Sequence, residues 1–400
     1  MYKGVKYTIV RSREIIVPTM DNLGMMQSRN MGARAVDLIA QELEVEESEL
    51  NSKERIYLRR DPRTRAMAPA MPMTLINPVD SKVVGESPSG NTWGVEAVGA
   101  TKSSFDGSGI TVAVLDTGID PSHPAFTGVN LIQRNFTSES DNDLNGHGTH
   151  CAGTIFGRDV DGTRIGVAPG IERALIGKVL GDNGGSSTII AQAIQWALNE
   201  GAHIISMSLG IDFPGFVKFL VEAQELTIEA ATSIALESYR ANINLFGELS
   251  RFVEAQGALL GQGTIIVSAS GNESRRPQFE IAVAPPAAST GIVAVGALQQ
   301  NPSGGFSVAN FSNDQVNISA PGVDVISARL GGGLVSFSGT SMATPHAAGI
   351  AALWAQRLLD ATGSVNSQIL KARLIASGSL SPLSPNQEPD DIGAGIVQAP

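Results

Sequence analysis

The feature that most narrows the folds open to this chain is a repeated one: an apolar, β-branched run closed by glycine turns, followed by a stretch of helical period. Ile110-Thr111-Val112-Ala113-Val114-Leu115 lies between Asp106-Gly107-Ser108-Gly109 and Asp116-Thr117-Gly118. Apolar residues at consecutive positions mark a strand buried on both faces. Comparable runs occupy residues 174–179, 203–207, 264–269 and 292–295. Between them, residues 187–199 place Ile190, Ile194, Ala197 and Leu198 on one side, with Gly201 as the stop. Strand and helix in alternation predict an α/β fold, a mostly parallel sheet covered by helices on both faces.

Composition closes off other classes. Hydrophobic residues make up 42% of the 400, enough for a sizeable core and against wholesale disorder. A formal charge of −11 repels phosphate backbones and anionic lipid, so neither nucleic acid nor membrane is expected as a partner. The single cysteine, Cys151, excludes an internal disulfide and a multi-thiolate zinc site. The first residues, Met1 to Arg11, lack the apolar run of a secretory leader, and no segment approaches a membrane span, which predicts a cytoplasmic setting. Against this, 17% charged residues and 44 glycines look more like an extracellular enzyme, so secretion by a non-standard route is the alternative.

Three regions depart from the strand–helix alternation. Residues 1–91 read as a small α+β extension: a β-rich run at 7–17, a helix at 33–43, a β-like run at 55–59, then a proline-spaced extended linker from Ala66 to Pro78. Residues 92–377 form the main domain, in which 214–261 is an inserted stretch of one or two helices. Residues 378–400 are Ser- and Pro-rich and predict a loosely ordered tail.

Four short segments carry chemistry. Asp116 closes a buried strand, at the carboxyl edge where parallel sheets present functional groups, although Asp before Gly is also an ordinary turn former. His147 sits between Gly146 and Gly148, which allow close backbone approach. His123, His150, His203 and His346 take structural readings, and no His-Glu-x-x-His pattern supports a zinc hydrolase. Ser341, ahead of an Ala-rich helix, has its hydroxyl beside unpaired N–H groups at the positive end of the helix dipole. A simple N-cap serine is the plain alternative. Pro345 requires Ser341 to lie in the first turn. Asn272, ending the 264–269 strand's turn, supplies an amide that an acyl-transfer site needs where negative charge develops.

These segments, Val114-Leu115-Asp116-Thr117-Gly118, His147-Gly148-Thr149-His150, Ala269-Ser270-Gly271-Asn272 and Gly339-Thr340-Ser341-Met342-Ala343-Thr344-Pro345-His346, resemble the subtilase family of serine peptidases. The chain order Asp, His, Ser separates that family from other carriers of the same triad. The resemblance implies a three-layer sandwich around a sheet of about seven strands. It implies a serine endopeptidase with Asp116, His147 and Ser341 as the triad and Asn272 in the oxyanion hole. It also implies that Ser208, Leu209, Gly210, Ala269, Ser270 and Gly271 line a cleft for an extended polypeptide. A silent peptide-binding module, or an esterase or transpeptidase using the same nucleophile, are the competing functions.

Catalysis in such an enzyme needs no cofactor and no metal, but structural calcium is common in the family. Asp141, Asp143, Asp159, Asp161 and Asp182 are candidate oxygen ligands, though Asp159-Val160-Asp161-Gly162 is too short for an EF-hand loop. Cys151, one helical turn after His147, reads as a small buried hydrophobe. The resemblance further implies that residues 1–91 act as an intramolecular inhibitor, with Met71 to Pro78 crossing the active site; a permanent ordered extension is the competing reading.

Overall fold

The structure, a computed structural model, describes residues 6–17, 38–85, 89–260 and 262–400. Its centre is an eight-stranded sheet in the order Phe306–Val308, Val293–Gln300, Ile265–Ala269, Ile204–Met207, Thr111–Asp116, Arg173–Lys178, Asn130–Asn135, with Ile318–Pro321 also pairing to Val293–Gln300. Every pairing is parallel except that of Phe306–Val308, the antiparallel edge. The expected sheet of about seven strands thus gains one.

Consecutive apolar residues in the strands feed two cores, as the alternation of side chains across a sheet requires. Val112, Val114, Val267 and Val293 point to the face covered by helices His147–Phe156 and Thr340–Thr362. Ala113, Leu115, Ile205 and Ile266 point to the opposite face, under Ser187–Asn199 and Ile228–Leu260. The inserted region resolves into two helices, Phe213–Glu222 and Ile228–Leu260. Among the described residues, no helix is long and apolar enough to cross a membrane.

The amino-terminal region differs from expectation in two places. Residues 38–43, expected as helix, belong to the strand Leu38–Glu49, antiparallel to Lys6–Val17; positions 33–37 lie outside the described residues. Leu43 and Val45 turn inward while Glu42, Glu44 and Glu46 flank them, a period of two rather than 3.6. Residues 55–59, expected as strand, lie in the helix Ser52–Arg60. Asn51 caps it and Glu54 completes a capping box, with Arg59 and Arg60 at the negative end of the dipole. These terminal interactions outweigh the β propensity of Ile56 and Tyr57. Thr64–Pro69 completes this small sheet, and Val10, Leu43 and Ala68 share one core with Ile190, Leu245 and Leu249 of the main domain.

The expected loose tail is a packed one. Ile396 and Val397 are fully buried, Val397 N–H donates to Ser319 O at 2.9 Å, and Ala399 N–H donates to Val98 O at 2.8 Å. The Ser- and Pro-rich composition disguised Val397, which joins the core containing Ile318 and Ala320, and Ile396, which packs with Leu298 and Ile392.

Candidate active site

Asp116 is the last residue of the central strand Thr111–Asp116 and is 1% exposed. His147 is the first residue of its helix, with Gly146 in the left-handed region (φ +94°) turning the chain into it. A Cβ on Gly148 would stand 2.1 Å from Gly118 O, so only glycine lets the helix press against the turn after Asp116. Asp143 knits the two segments: its carboxylate accepts from Thr117 Oγ1, Asn145 N, Gly146 N, Thr149 N and Thr149 Oγ1. Held this way, His147 Nδ1–H donates to Asp116 Oδ1 at 2.8 Å. His147 Nε2 has no hydrogen-bond partner among the described residues. Burial works to lower the His147 pKa, but Asp116 and, to a lesser degree, Cys151 together outweigh it and the net value is raised well above 6.5.

Ser341 is the second residue of the helix Thr340–Thr362, as Pro345 requires. Pro345 has no N–H to offer the Ser341 carbonyl four residues back. That carbonyl instead accepts from Ser208 Oγ at 3.2 Å and Cys151 Sγ at 3.4 Å. Ser208, expected in the cleft, therefore faces inward at 2% exposure and braces the serine; sequence alone gave no signal for this. Cys151 is fully buried, as expected, and burial pushes its thiol pKa up. Asn272 Oδ1 accepts from Thr340 N and Thr340 Oγ1, both at 2.9 Å, which fixes the amide so that its nitrogen faces the cleft.

The cleft holds the chain's own linker. Pro72–Leu75 runs antiparallel between Gly185–Ser186 and Leu209–Ile211, with Gly210 opposite Thr74. Ser341 Oγ donates to Ile76 O at 2.8 Å, and Asn272 Nδ2 donates to Asn77 O at 2.9 Å. Beyond Pro78, Val79 N–H donates to Ser338 O at 2.7 Å, and Asp80–Val83 adds an antiparallel strand to Leu334–Ser338. Ala269, Ser270 and Gly271 line a cavity of about 490 Å³ with Gly210 and Ile76.

The candidate calcium ligands do not assemble. Asp143 is consumed by the five donors above, and Asp141 accepts from Asn135 Nδ2 at 3.2 Å. Among the described residues, the group of three potential metal-binding side chains is Asp116, His147 and Cys151, the first two already bonded to each other. The five aspartates named from sequence do not come together in such a group among the described residues.

Comparison with known proteins places the chain in a family. The sequence model of the Subtilase family matches residues 107–395. The chain is 33% identical over 375 residues to "Thermostable alkaline protease" of Halalkalibacterium halodurans, covering 91% of this chain and 85% of that protein. It is 36% identical over 274 residues to "Subtilisin Savinase" of Lederbergia lenta, covering 66% of this chain and 84% of that protein. To "M-protease" of Shouchella clausii it is again 36% identical over 274 residues, 66% of this chain but 60% of that protein. These matches overturn the cytoplasmic expectation: the relatives are alkaline proteases and subtilisins, which points to the extracellular side. Fold, site geometry and sequence matches together lead to one identification: the chain belongs to the subtilase family and is a subtilisin-like serine endopeptidase.

Proposed function

We propose that Asp116, His147, Ser341 and Asn272 perform the hydrolysis of extended polypeptides, and that residues 71–78 hold the enzyme latent until they leave the cleft. The observation that carries the first part is the 2.8 Å bond from His147 Nδ1 to the buried Asp116 carboxylate, which leaves Nε2 as the free base. With the linker gone, Ser341 Oγ turns to that nitrogen. Ser341 Oγ then attacks the substrate carbonyl carbon while His147 Nε2 takes its proton. Asn272 Nδ2 and the Ser341 N–H stabilise the oxyanion. His147 passes the proton to the leaving nitrogen as the C–N bond breaks, and water repeats the sequence on the acyl-enzyme.

Latency follows from register. Attack needs one carbonyl that meets both groups, its carbon at Ser341 Oγ and its oxygen at Asn272 Nδ2. Here the hydroxyl serves Ile76 O and the amide serves Asn77 O, the next carbonyl along. The Ser341 proton is thereby directed away from His147. The carbonyl at the amide also belongs to an Asn77–Pro78 bond, whose ring nitrogen is a hindered leaving group.

Fluorophosphonate labelling tests the catalytic assignment: a Ser341 adduct that disappears in His147→Ala is expected, and an adduct of equal rate in that variant refutes it. Intact mass tests the latent linker. Shortening in the wild type but not in Ser341→Ala is expected, while a full-length wild type that hydrolyses casein overturns it.

A further inference from the structure

Residues 136–145 lead from the strand Asn130–Asn135 to the helix of His147 without regular secondary structure, and Ser140, Asp141, Asn142, Leu144 and Asn145 are exposed. An exposed loop needs outside tethers if its end is to hold a side chain in place. Asn135 Nδ2 donates to Glu139 O at 2.7 Å, and Asp143 N–H donates to Ile119 O at 3.1 Å. The remaining tether is Lys178, the last residue of Arg173–Lys178 and the register partner of Asp116 on the neighbouring strand. Its side chain is 3% exposed. Its Nζ donates to Ser140 O at 2.9 Å and Asn142 O at 3.0 Å, and it pairs with Glu139 Oε2 at 3.2 Å. An ammonium has three N–H groups, so this one loop can occupy them all. Asn142 adjoins Asp143, whose carboxylate holds Thr117, Gly146 and Thr149 around the triad.

Glu139 also reaches the substrate side. Its Oε1 accepts from Asp182 N at 2.6 Å, and a Cβ on Gly181 would stand 2.3 Å from that oxygen. Gly181 and Gly184 exchange backbone bonds of 3.2 and 2.9 Å, closing the turn that leads into Gly185–Ser186. That edge pairs with the linker, Gly185 opposite Met73 and Ser186 opposite Pro72. Lys178 and Glu139 share with Thr74, Leu75 and Asn77 the lining of a cavity of about 400 Å³.

We propose that Lys178 and Glu139 are positioning residues whose ion pair joins the loop leading to His147 to the turn that sets the substrate edge, so that base and bound peptide are held in a single frame. The inference rests on the catalytic reading above and gives neither side chain a contact with the reacting atoms. A lysine kept from water persists only where partners replace its hydration, and whatever supplies those partners is ordered in return. Here the supplier is a loop otherwise open to solvent. A displacement of about 1 Å in a reacting group can cost about a hundredfold in rate, so the loop's order bears on turnover of every substrate. The glutamate acts on a different quantity. Only a peptide that extends from the serine as far as Met73 does can meet Gly185, so the setting of that edge bears on long substrates alone.

The test uses the full chain, incubated until casein hydrolysis is steady, with turnover counted per Ser341 labelled by fluorophosphonate at completion. The substrates are pentaalanyl and dialanyl nitroanilides, the first matching the span from Met73 to Asn77 and the second falling short of Gly185. Lys178→Met is expected to lower kcat for the pentapeptide by about 30–100-fold with KM within about threefold, and to lower kcat/KM for the dipeptide by a similar factor. Glu139→Ala, at a side chain 24% exposed, is expected to raise KM for the pentapeptide by about five- to tenfold while leaving kcat/KM for the dipeptide within about twofold. Gly181→Ala, which crowds the carboxylate from its seat without removing a charge, is expected to repeat the Glu139→Ala result, and these two variants decide if Lys178→Met does not fold. Unchanged kinetics in Glu139→Ala, an equal loss on both peptides in that variant, or wild-type kcat in a folded Lys178→Met overturns the inference, while His147-dependent labelling of Ser341 leaves the catalytic reading standing. A wild type that neither labels at Ser341 nor hydrolyses casein counts against both.

Discussion

Shortening one side chain in the linker should unlatch the enzyme by a calculable factor. Ile76 is 7% exposed, and its side chain packs over Gly210 at the near end of the cavity. Burying an isoleucine contributes about 1.5–3 kcal/mol, and Ile76→Ala gives up most of that because the cavity is already part-empty and cannot collapse on the smaller residue. The backbone contacts of the linker, from Ser341 Oγ and Asn272 Nδ2, do not depend on the side chain and survive. A loss of about 2 kcal/mol raises the population with the linker out of the cleft about thirtyfold. The assay is the rate of fluorophosphonate labelling of Ser341, read only on the full-length band so that processed enzyme does not contribute. Tyr57→Ala, on a helix surface at 73% exposure, serves as the control and should label at the wild-type rate. A labelling rate for Ile76→Ala within about twofold of wild type would refute the reasoning, because a linker held by its side chain cannot lose one without loosening.

Asn272→Ala should lower kcat by about 100–1000-fold with little change in KM, a magnitude carried over from the equivalent donor in subtilisin; unchanged steady-state kinetics would exclude the amide from the oxyanion site. Because Asp116 together with Cys151 overcomes burial and raises the His147 pKa well above 6.5, and the base must be neutral, activity of the full chain should climb through the alkaline side of that value, as a pH–kcat profile would reveal. His150, with a pKa lowered to about 3, and His203 and His346, each to about 4, are held neutral by burial. The unfolded chain takes up those protons near pH 6.5, so the stability they contribute is present above that value and lost as pH falls toward about 4, at about 1.4 kcal/mol per unit for each. Urea midpoints of Ser341→Ala at about pH 7 and about pH 5 should differ accordingly. Gly148→Ala, with a Cβ driven to 2.1 Å from Gly118 O, should destabilise the fold by about 1–3 kcal/mol and slow turnover by shifting His147 from Asp116; wild-type melting and kinetics would count against that contact.

What the sequence made legible was whatever local pattern dictates. The strand Thr111–Asp116 and the helix Ser187–Asn199 follow from an apolar run and from an apolar face of helical period ending at Gly201, and the four motif segments meet because the sheet brings strand ends and helix starts to one edge. The errors arose where a partner outside the local window decides. Leu38–Glu49 is a strand because Lys6–Val17 lies beside it, and Val397 and Ile396 are buried because distant segments receive them, the first with Ile318 and Ala320 and the second with Leu298 and Ile392. Ser208 could be placed near the cleft, but its turn toward the Ser341 carbonyl depends on a hydrogen bond that Pro345 removes in another segment. The insertion at 214–261 was visible as helix, whereas its place at the cavity depends on how Tyr239 meets Phe213 and Val283.

The linker is anchored twice, by Pro72–Leu75 on one flank of Ser341 and by Asp80–Val83 on the other. Severing it at the serine would produce two fragments with opposite fates. The upstream piece would have to leave the core that Val10, Leu43 and Ala68 share with Ile190, Leu245 and Leu249 before incoming polypeptide could take its place. The downstream piece remains tethered to the enzyme as its new beginning, already zipped to Leu334–Ser338, so the mature groove would be asymmetric from birth: vacant before the cut, furnished with a resident strand after it.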